Sequence, residues 1–441
     1  MRTPPRGKTT SSRRPLGSTP GPSLGPAALA PRPLAVDPTG AIPAVFVALT
    51  TWHPLLYRKR IVRCDDARPG DLVAVYGPHD ALLGYGLYNP RSEIAVRVLF
   101  PGRDLPDAAR WRQKLDAAVS LRRDLLKLDA ATDAYRLVHA EADGLSGLVV
   151  DRYGDILSAE VFSLGMYQRA EAILAELAPR CGARHTLVRP SPQFLSQEGC
   201  EPPPLASADL PEQVTIQEFG TRFRVQFAGG HKTGFFCDQR ENRKRLAEFC
   251  EGRNVLDLCC YSGGFAVQAK KLGGAAEVTG VDLDEEPLRL ARENANLNQA
   301  RIRFVQADAF QYMREMLQQG RQYDVVVLDP PKLIRSRTEL EEGTRKHFDL
   351  NRLAMRLVRP GGLLLSCSCS GLLPETEFLR LLYSASYQAG AVLEEATAEK
   401  PQRHAARPMQ ILARTGAAAD HPVAAGVPES EYLKAIWMRL G

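Results

Sequence analysis

The chain has 441 residues, 44% hydrophobic and 24% charged, the composition of a globular protein of two to four domains. No run of about 18 apolar residues occurs, which excludes a membrane-spanning helix. The net charge of +6 is a poor guide to partners: residues 1–42 hold six basic side chains and one acid, while the other 399 residues carry 51 basic and 50 acidic groups. A nucleic-acid surface must therefore be a local patch.

Residues 1–42 contain nine prolines and five glycines among Ser, Thr and Arg, and are expected to be a disordered basic tail. From 43 to 117 short apolar runs at 44–49, 71–76, 82–88 and 94–100 alternate with turn residues and predict a small β-barrel, closed by a helix over 108–128. A central α+β domain is expected at 118–215, with a hairpin around Arg152-Tyr153-Gly154 and a helix over 168–177. From 216 to 441 the rhythm becomes βαβ. Strands at 254–258, 277–282, 302–306, 324–329 and 362–367 alternate with helical segments and predict a doubly wound parallel sheet.

The nine cysteines form no C-x-x-C pair, so a zinc ribbon is not indicated, and a reducing cytoplasm is the expected compartment. His53, His231 and His347 have no metal-ligand spacing, and no metal is expected.

The chemistry concentrates in the last region. VLDLCCYSGGF ends a strand at Asp257 and turns through Tyr261, Ser262, Gly263 and Gly264 into a helix, letting backbone approach a ligand. Asp282 lies 25 residues on, at the next strand end, where an acid takes ribose hydroxyls. Asp308, 26 residues further, is placed for an adenine amino group. With Leu283 and Ala309 beside these acids, the set points to S-adenosylmethionine. The fourth strand exits through Asp329-Pro330-Pro331-Lys332, where the prolines stiffen a turn that faces a flat base. The fifth ends in SCSCSG. Strand alternation puts Cys367 and Cys369 on one face, with Cys369 at the carboxyl edge and Cys367 one step deeper in the core. Cys369 is the candidate nucleophile and Asp329 a candidate hydrogen-bond partner for the base.

The runs KTGFFCDQRENR (232–243), VLDLCCYSGGF, VVVLDPPK and SCSCSG, in that order, resemble the ribosomal RNA large-subunit methyltransferase I family. The resemblance covers about residues 43–441. It implies a PUA domain, a central α+β domain and a class I methyltransferase domain making 5-methylcytosine in large-subunit ribosomal RNA. It also places Lys232, Gln239 and Arg240 against the cofactor or the target base. The segment 136–145 departs from the family pattern, and Ala419-Asp420-His421-Pro422 returns to it. Arg58, Lys59 and Arg60, near Trp52 and Tyr57, are candidate phosphate contacts. A second copy of the chain is kept as a candidate partner. The rival readings are a guanine amino-group methyltransferase, a uracil carbon 5 methyltransferase, and a non-catalytic RNA-binding assembly factor.

Overall fold

The computed structural model describes residues 24–36, 40–48, 53–227, 234–394 and 403–441. The first sheet has six strands in the order Leu55–Tyr57, Ile94–Pro101, Leu82–Tyr88, Leu72–Tyr76, Ala44–Val47 and Ile61–Asp65. Gly84 and Gly86 let two of these strands close up, because a Cβ at either would stand 2.4 or 2.5 Å from a backbone carbonyl of the neighbouring strand. Among the described residues no ladder joins the two edge strands. Leu56 and Val45, from opposite ends of the sheet, nevertheless share one small core. The sheet thus curls into a barrel-like shell that is not closed by hydrogen bonds.

The central sheet runs Leu205–Ala206, His185–Pro190, Ile156–Val161, Leu148–Tyr153, Ala134–His139, with the predicted hairpin at its middle. The helices Ala108–Ser120 and Ala170–Cys181 pack on it. The first is shorter than expected, giving way to one π turn at Leu121–Leu125. Trp111 on that helix is fully buried and edge-on to Phe100 of the first sheet, centroids 5.1 Å apart. One apolar core therefore runs from the first sheet into the central one, and no break in packing marks a boundary at 117. The boundary expected at 215 falls inside the strand Gln213–Glu218 of a second hairpin. Its turn places Phe219 and Gly220 at positive φ, the geometry of a two-residue hairpin loop.

The third sheet has seven strands in the order Arg303–Gln306, Glu277–Asp282, Asn254–Leu258, Tyr323–Leu328, Val358–Ser368, Lys434–Leu440 and Met409–Thr415. The first five are parallel, and Lys434–Leu440 is antiparallel to both of its neighbours. Val325 and Val327 face one helical layer, and Val326 and Leu328 the other. Burial on both faces explains the unbroken apolar run DVVVL. The predicted parallel sheet is present. The last two strands, each of seven residues, are not among those the sequence predicts.

The tail expectation needs a correction. Residues 24–36 are folded against the body, with Leu24, Leu29, Leu34 and Val36 partly buried on the core shared by the first two sheets. Arg32 pairs with Asp71, its amide donates to the Gln168 carbonyl at 2.9 Å, and Gln168 Nε2 donates to the Ala28 carbonyl at 2.6 Å. Four spaced aliphatic side chains supply apolar area that bulk composition concealed. Residues 1–23 lie outside the described residues.

Deleting residues 1–36 should therefore cost on the order of 2–4 kcal/mol of stability, the worth of four partly buried apolar side chains. Urea denaturation of the full and shortened chains measures this, and coincident curves would show that the segment contributes nothing.

Candidate active site

The carboxyl ends of the parallel strands converge on one loop. Residues 259–263 leave the strand Asn254–Leu258 with Cys259, Tyr261 and Gly263 all at positive φ. Two of the three are not glycine, a conformation that persists only where surroundings enforce it. The enforcement is visible. The Cys260 amide donates to the Val281 carbonyl at 3.0 Å, and the Tyr261 amide to Asp282 Oδ2 at 2.8 Å. Asn294 Nδ2 donates to the Ser262 carbonyl at 3.0 Å. The loop ends at Gly263, which caps the helix Gly264–Lys271.

Asp257 is buried, and its Oδ2 accepts from the Ala266 amide at 2.9 Å within the first turn of that helix. Its Oδ1 is buried with no partner. Burial pushes the Asp257 carboxyl well above its ordinary value, with Asp329 and Asp282 adding repulsion against the Ala266 hydrogen bond. Cys259 reports the same crowding: burial raises its thiol, and after that Asp282, Asp329, Asp257 and Asp308 all push in the same direction. Four carboxylates thus surround one point at the topological switch between the strands Asn254–Leu258 and Tyr323–Leu328. An orphaned carboxylate oxygen inside an acidic ring is suited to a cationic ligand. Leu283, 62% exposed beside Asp282, offers an apolar surface for a flat ring. The residues present fit S-adenosylmethionine, with its ammonium and sulfonium charges and its adenine.

Several expected residues have more structural work than anticipated. Asp282 holds the amides of Tyr261 and Asp284. Asp308 is exposed and caps the helix Ala309–Gln318 through the Gln311 amide. Ser262 and Gly263 are buried, so Tyr261 and Gly264 are the more open members of the loop. Gln239 is buried, donates to Asp329 Oδ2 at 3.0 Å and accepts from Asn242 at 2.6 Å. It orients Asp329 from behind. Pro330 is buried, whereas Pro331 and Lys332 are exposed at the mouth.

Arg240 requires correction. Its fully buried guanidinium makes two bonds to Asp420, at 3.0 and 2.9 Å, and a third to Glu241. It is a structural ion pair and has no access to a cofactor. Lys232 lies outside the described residues. Arg58 is tied to Glu93, whereas Lys59 and Arg60 are exposed; nearby Arg63, also exposed, pairs with Asp65 and stacks over Phe46.

On the fifth strand, Cys367 is fully buried among Leu363, Leu365 and Phe265, as alternation requires. Ser366 and Ser368 turn the other way, to Asn351 at 2.6 Å and His347 at 3.3 Å. Cys369 is half-buried, just past the strand end. Register pairs Leu328 with Ser366, which sets Asp329 and Cys369 on the same edge of adjacent strands. The chain order missed Lys434 and Asp420, whose roles depend on partners more than 60 and 170 residues away in sequence. A hollow of about 930 Å³ lies by Glu277 and Arg303 at the amino ends of their strands, away from this edge.

This sheet order, with acids around a left-handed loop at the switch point, defines an S-adenosylmethionine-dependent methyltransferase. The model of that domain family matches residues 181–395, and a PUA-like domain matches residues 48–100. Ribosomal RNA large subunit methyltransferase I of Photobacterium profundum is 35% identical over 394 residues, covering 87% of this chain and 94% of that protein. The protein of the same name from Aeromonas hydrophila is 37% identical over 398 residues, covering 88% and 95%. The chain belongs to the ribosomal RNA large subunit methyltransferase I family. The fold also matches a SAM-dependent methyltransferase of Streptococcus mutans, with TM-score 0.71 at 19% identity, covering 90% of this chain and 100% of that one. A methyltransferase solved in complex with SAH aligns with TM-score 0.72 at 20% identity, covering 90% and 99%.

Two outcomes follow from the geometry. Because the fold raises the Asp257 pKa above the unfolded value near 4, it costs stability as pH rises from about 4 through the folded pKa. Asp257→Asn should remove that loss, raising the melting temperature of the cofactor-free protein at pH 7 while weakening S-adenosylmethionine binding in calorimetry. Tighter binding would remove Asp257 from the site. Arg240→Met strands a buried carboxylate and should cost about 3–5 kcal/mol in urea denaturation, with Arg240→Lys recovering only part. An unchanged midpoint for Arg240→Met would refute the structural role.

Proposed function

We propose that this protein methylates carbon 5 of a cytosine in large-subunit ribosomal RNA through a thiolate of Cys369. Family membership supports the RNA substrate, and the position of Cys369 carries the choice of carbon 5. It is the half-open cysteine at the carboxyl end of the fifth strand, one strand from Asp329-Pro330.

Carbon 5 of cytosine is too weak a nucleophile to be alkylated directly. Addition of the Cys369 sulfur at carbon 6 breaks the 5,6 double bond and makes carbon 5 enamine-like. Asp329, held by Gln239, would hydrogen-bond the ring and stabilise the adduct. Bound S-adenosylmethionine supplies the methyl group, which Asp257, Tyr261, Gly264, Asp282, Leu283, Asp308 and Ala309 would hold in place. Loss of the carbon 5 proton to a base then restores the double bond and expels the Cys369 thiolate. Lys59 and Arg60, on the turn between two edge strands of the PUA-like sheet, would meet RNA phosphates and orient without specifying sequence.

RNA carrying 5-fluorocytosine should trap this path, because fluorine cannot leave as a proton does. We expect an S-adenosylmethionine-dependent adduct that survives denaturing electrophoresis, lost in Cys369→Ala together with turnover. Cys367→Ala should keep both and lose some stability, since that side chain only fills core. Near-normal methylation by Cys369→Ala would overturn the reading. Mass spectrometry of the product would then tell a methylated guanine or uracil from 5-methylcytosine.

A further inference from the structure

Lys434 opens the strand that closes the fifth strand's far side, in register with Ser368, one residue before Cys369. It is 5% exposed. Nζ donates to the Ser370 carbonyl at 2.7 Å and to the Tyr432 carbonyl at 2.9 Å. Ser370 directly follows Cys369, so the ammonium is bound to the backbone one residue past the sulfur. Two of its three hydrogens are used. Among the described residues, no carboxylate forms an ion pair with Nζ, although a buried ammonium without an opposite charge is costly.

The groups facing Lys434 come from every neighbouring element. Cys369 is the foremost charged influence holding its ammonium in place, followed by Glu431, which is exposed. Lys332 repels it from the Asp329-Pro330-Pro331 exit, and Glu375, which also pairs with Arg414, attracts it weakly. His347, on the helix behind Ser368, is pushed down to about 4 by burial and then by Lys434, so it is neutral at pH 7. Burial brings Lys434 itself down to about 8. The nearby acids Asp329 and Asp238 act on Cys367, whose thiol burial already raises. Of the two cysteines at this strand end, one is therefore driven toward the neutral thiol, and the backbone just after the other holds a buried cation.

We propose that Lys434 is the counter-ion that keeps Cys369 as a thiolate, acting as a positioning residue for the nucleophile. The assignment rests on Cys369 being the attacking sulfur of the proposed reaction. The thiol proton passes to solvent, and the thiolate and ammonium remain as a pair at the strand end. The arrangement also accounts for a buried lysine in the strand Lys434–Leu440, whose other buried members, Ala435, Ile436, Trp437, Met438 and Leu440, are all apolar.

The test is the pH dependence of iodoacetamide alkylation of Cys369 in the full chain, followed on its own peptide by mass spectrometry so that the other cysteines do not interfere. In the wild-type protein the midpoint should lie below the ordinary thiol value of about 8.5. Lys434→Met should move it up by about one unit, so that alkylation at pH 7 slows about tenfold, and Lys434→Arg should restore most of the rate. A wild-type midpoint at or above 8.5 would overturn the pairing, as would an unmoved midpoint in folded Lys434→Met. If Lys434→Met does not fold, the wild-type curve and the Lys434→Arg curve decide. A Lys434-dependent shift without a 5-fluorocytosine adduct supports the pair and sinks the carbon 5 reading. An adduct with an unmoved midpoint sinks the pair alone.

Discussion

The carboxylate of Asp420 has no solvent, and much of the molecule is arranged around that fact. Burial alone would raise its pKa, but His421 and the two-bond contact from Arg240 hold it far below the usual carboxylate range. The Arg136 amide donates to the same carboxylate at 2.8 Å, and Arg122 donates to the Asp420 carbonyl at 2.7 Å while gripping Asp143. Segments near 122, 136, 240 and 420 are thereby drawn to one buried point. A buried pair of this kind is weak evidence for stability when compared with an apolar substitute, but losing one partner is expensive. Its consequence is registration: the central sheet, the helix Arg240–Ala247 and the C-terminal segment cannot slide past one another without exposing an unpaired charge.

That registration reaches the site. Gln239 immediately precedes Arg240, so pinning the guanidinium sets where the Gln239 amide meets Asp329. Asp238, one residue earlier, accepts from the Tyr432 hydroxyl at 2.6 Å, and the Tyr432 carbonyl is one of the two that hold Lys434. A second buried pair, Arg243 with Glu218, ties the same helix to the hairpin that precedes the methyltransferase sheet. The acid ring, the Asp329 exit and the strand-end cysteine are thus positioned by buried groups packed behind them.

The amino-terminal half is joined to this assembly by packing as well as by charge. The PUA-like sheet shares its core with the central sheet through Phe100 and Trp111, and residues 24–36 lie across that joint. A turn presenting Lys59 and Arg60 is therefore carried on the same body as the catalytic edge, rather than on an independently tethered module.

Much of this was legible in the chain. Hydrophobic pattern and turn residues located the strands Leu82–Tyr88, Asn254–Leu258 and Glu277–Asp282 to the residue, because the chain must turn at each strand end. The acids at 257, 282, 308 and 329 were readable because each lies within two residues of the carboxyl end of its strand, so spacing alone brings them to one edge. The alternation of Cys367 and Cys369 needed only a two-residue period. What the chain could not reveal were pairings between distant residues. Arg240 read as a ligand contact because the run KTGFFCDQRENR resembles the family's segment beside the cofactor or target base, yet its charge goes to Asp420, 180 positions away. Leu24–Val36 read as a tail because proline density masks four aliphatic side chains whose partners lie in other elements. Lys434 gave no signal, since a lysine at a strand start is ordinarily solvated. Local order follows from side-chain period and backbone sterics, which act within a few residues. Whether a charge is solvated, paired or left to stabilise a thiolate depends on desolvation, and desolvation is decided only when the sheets and helices close over it.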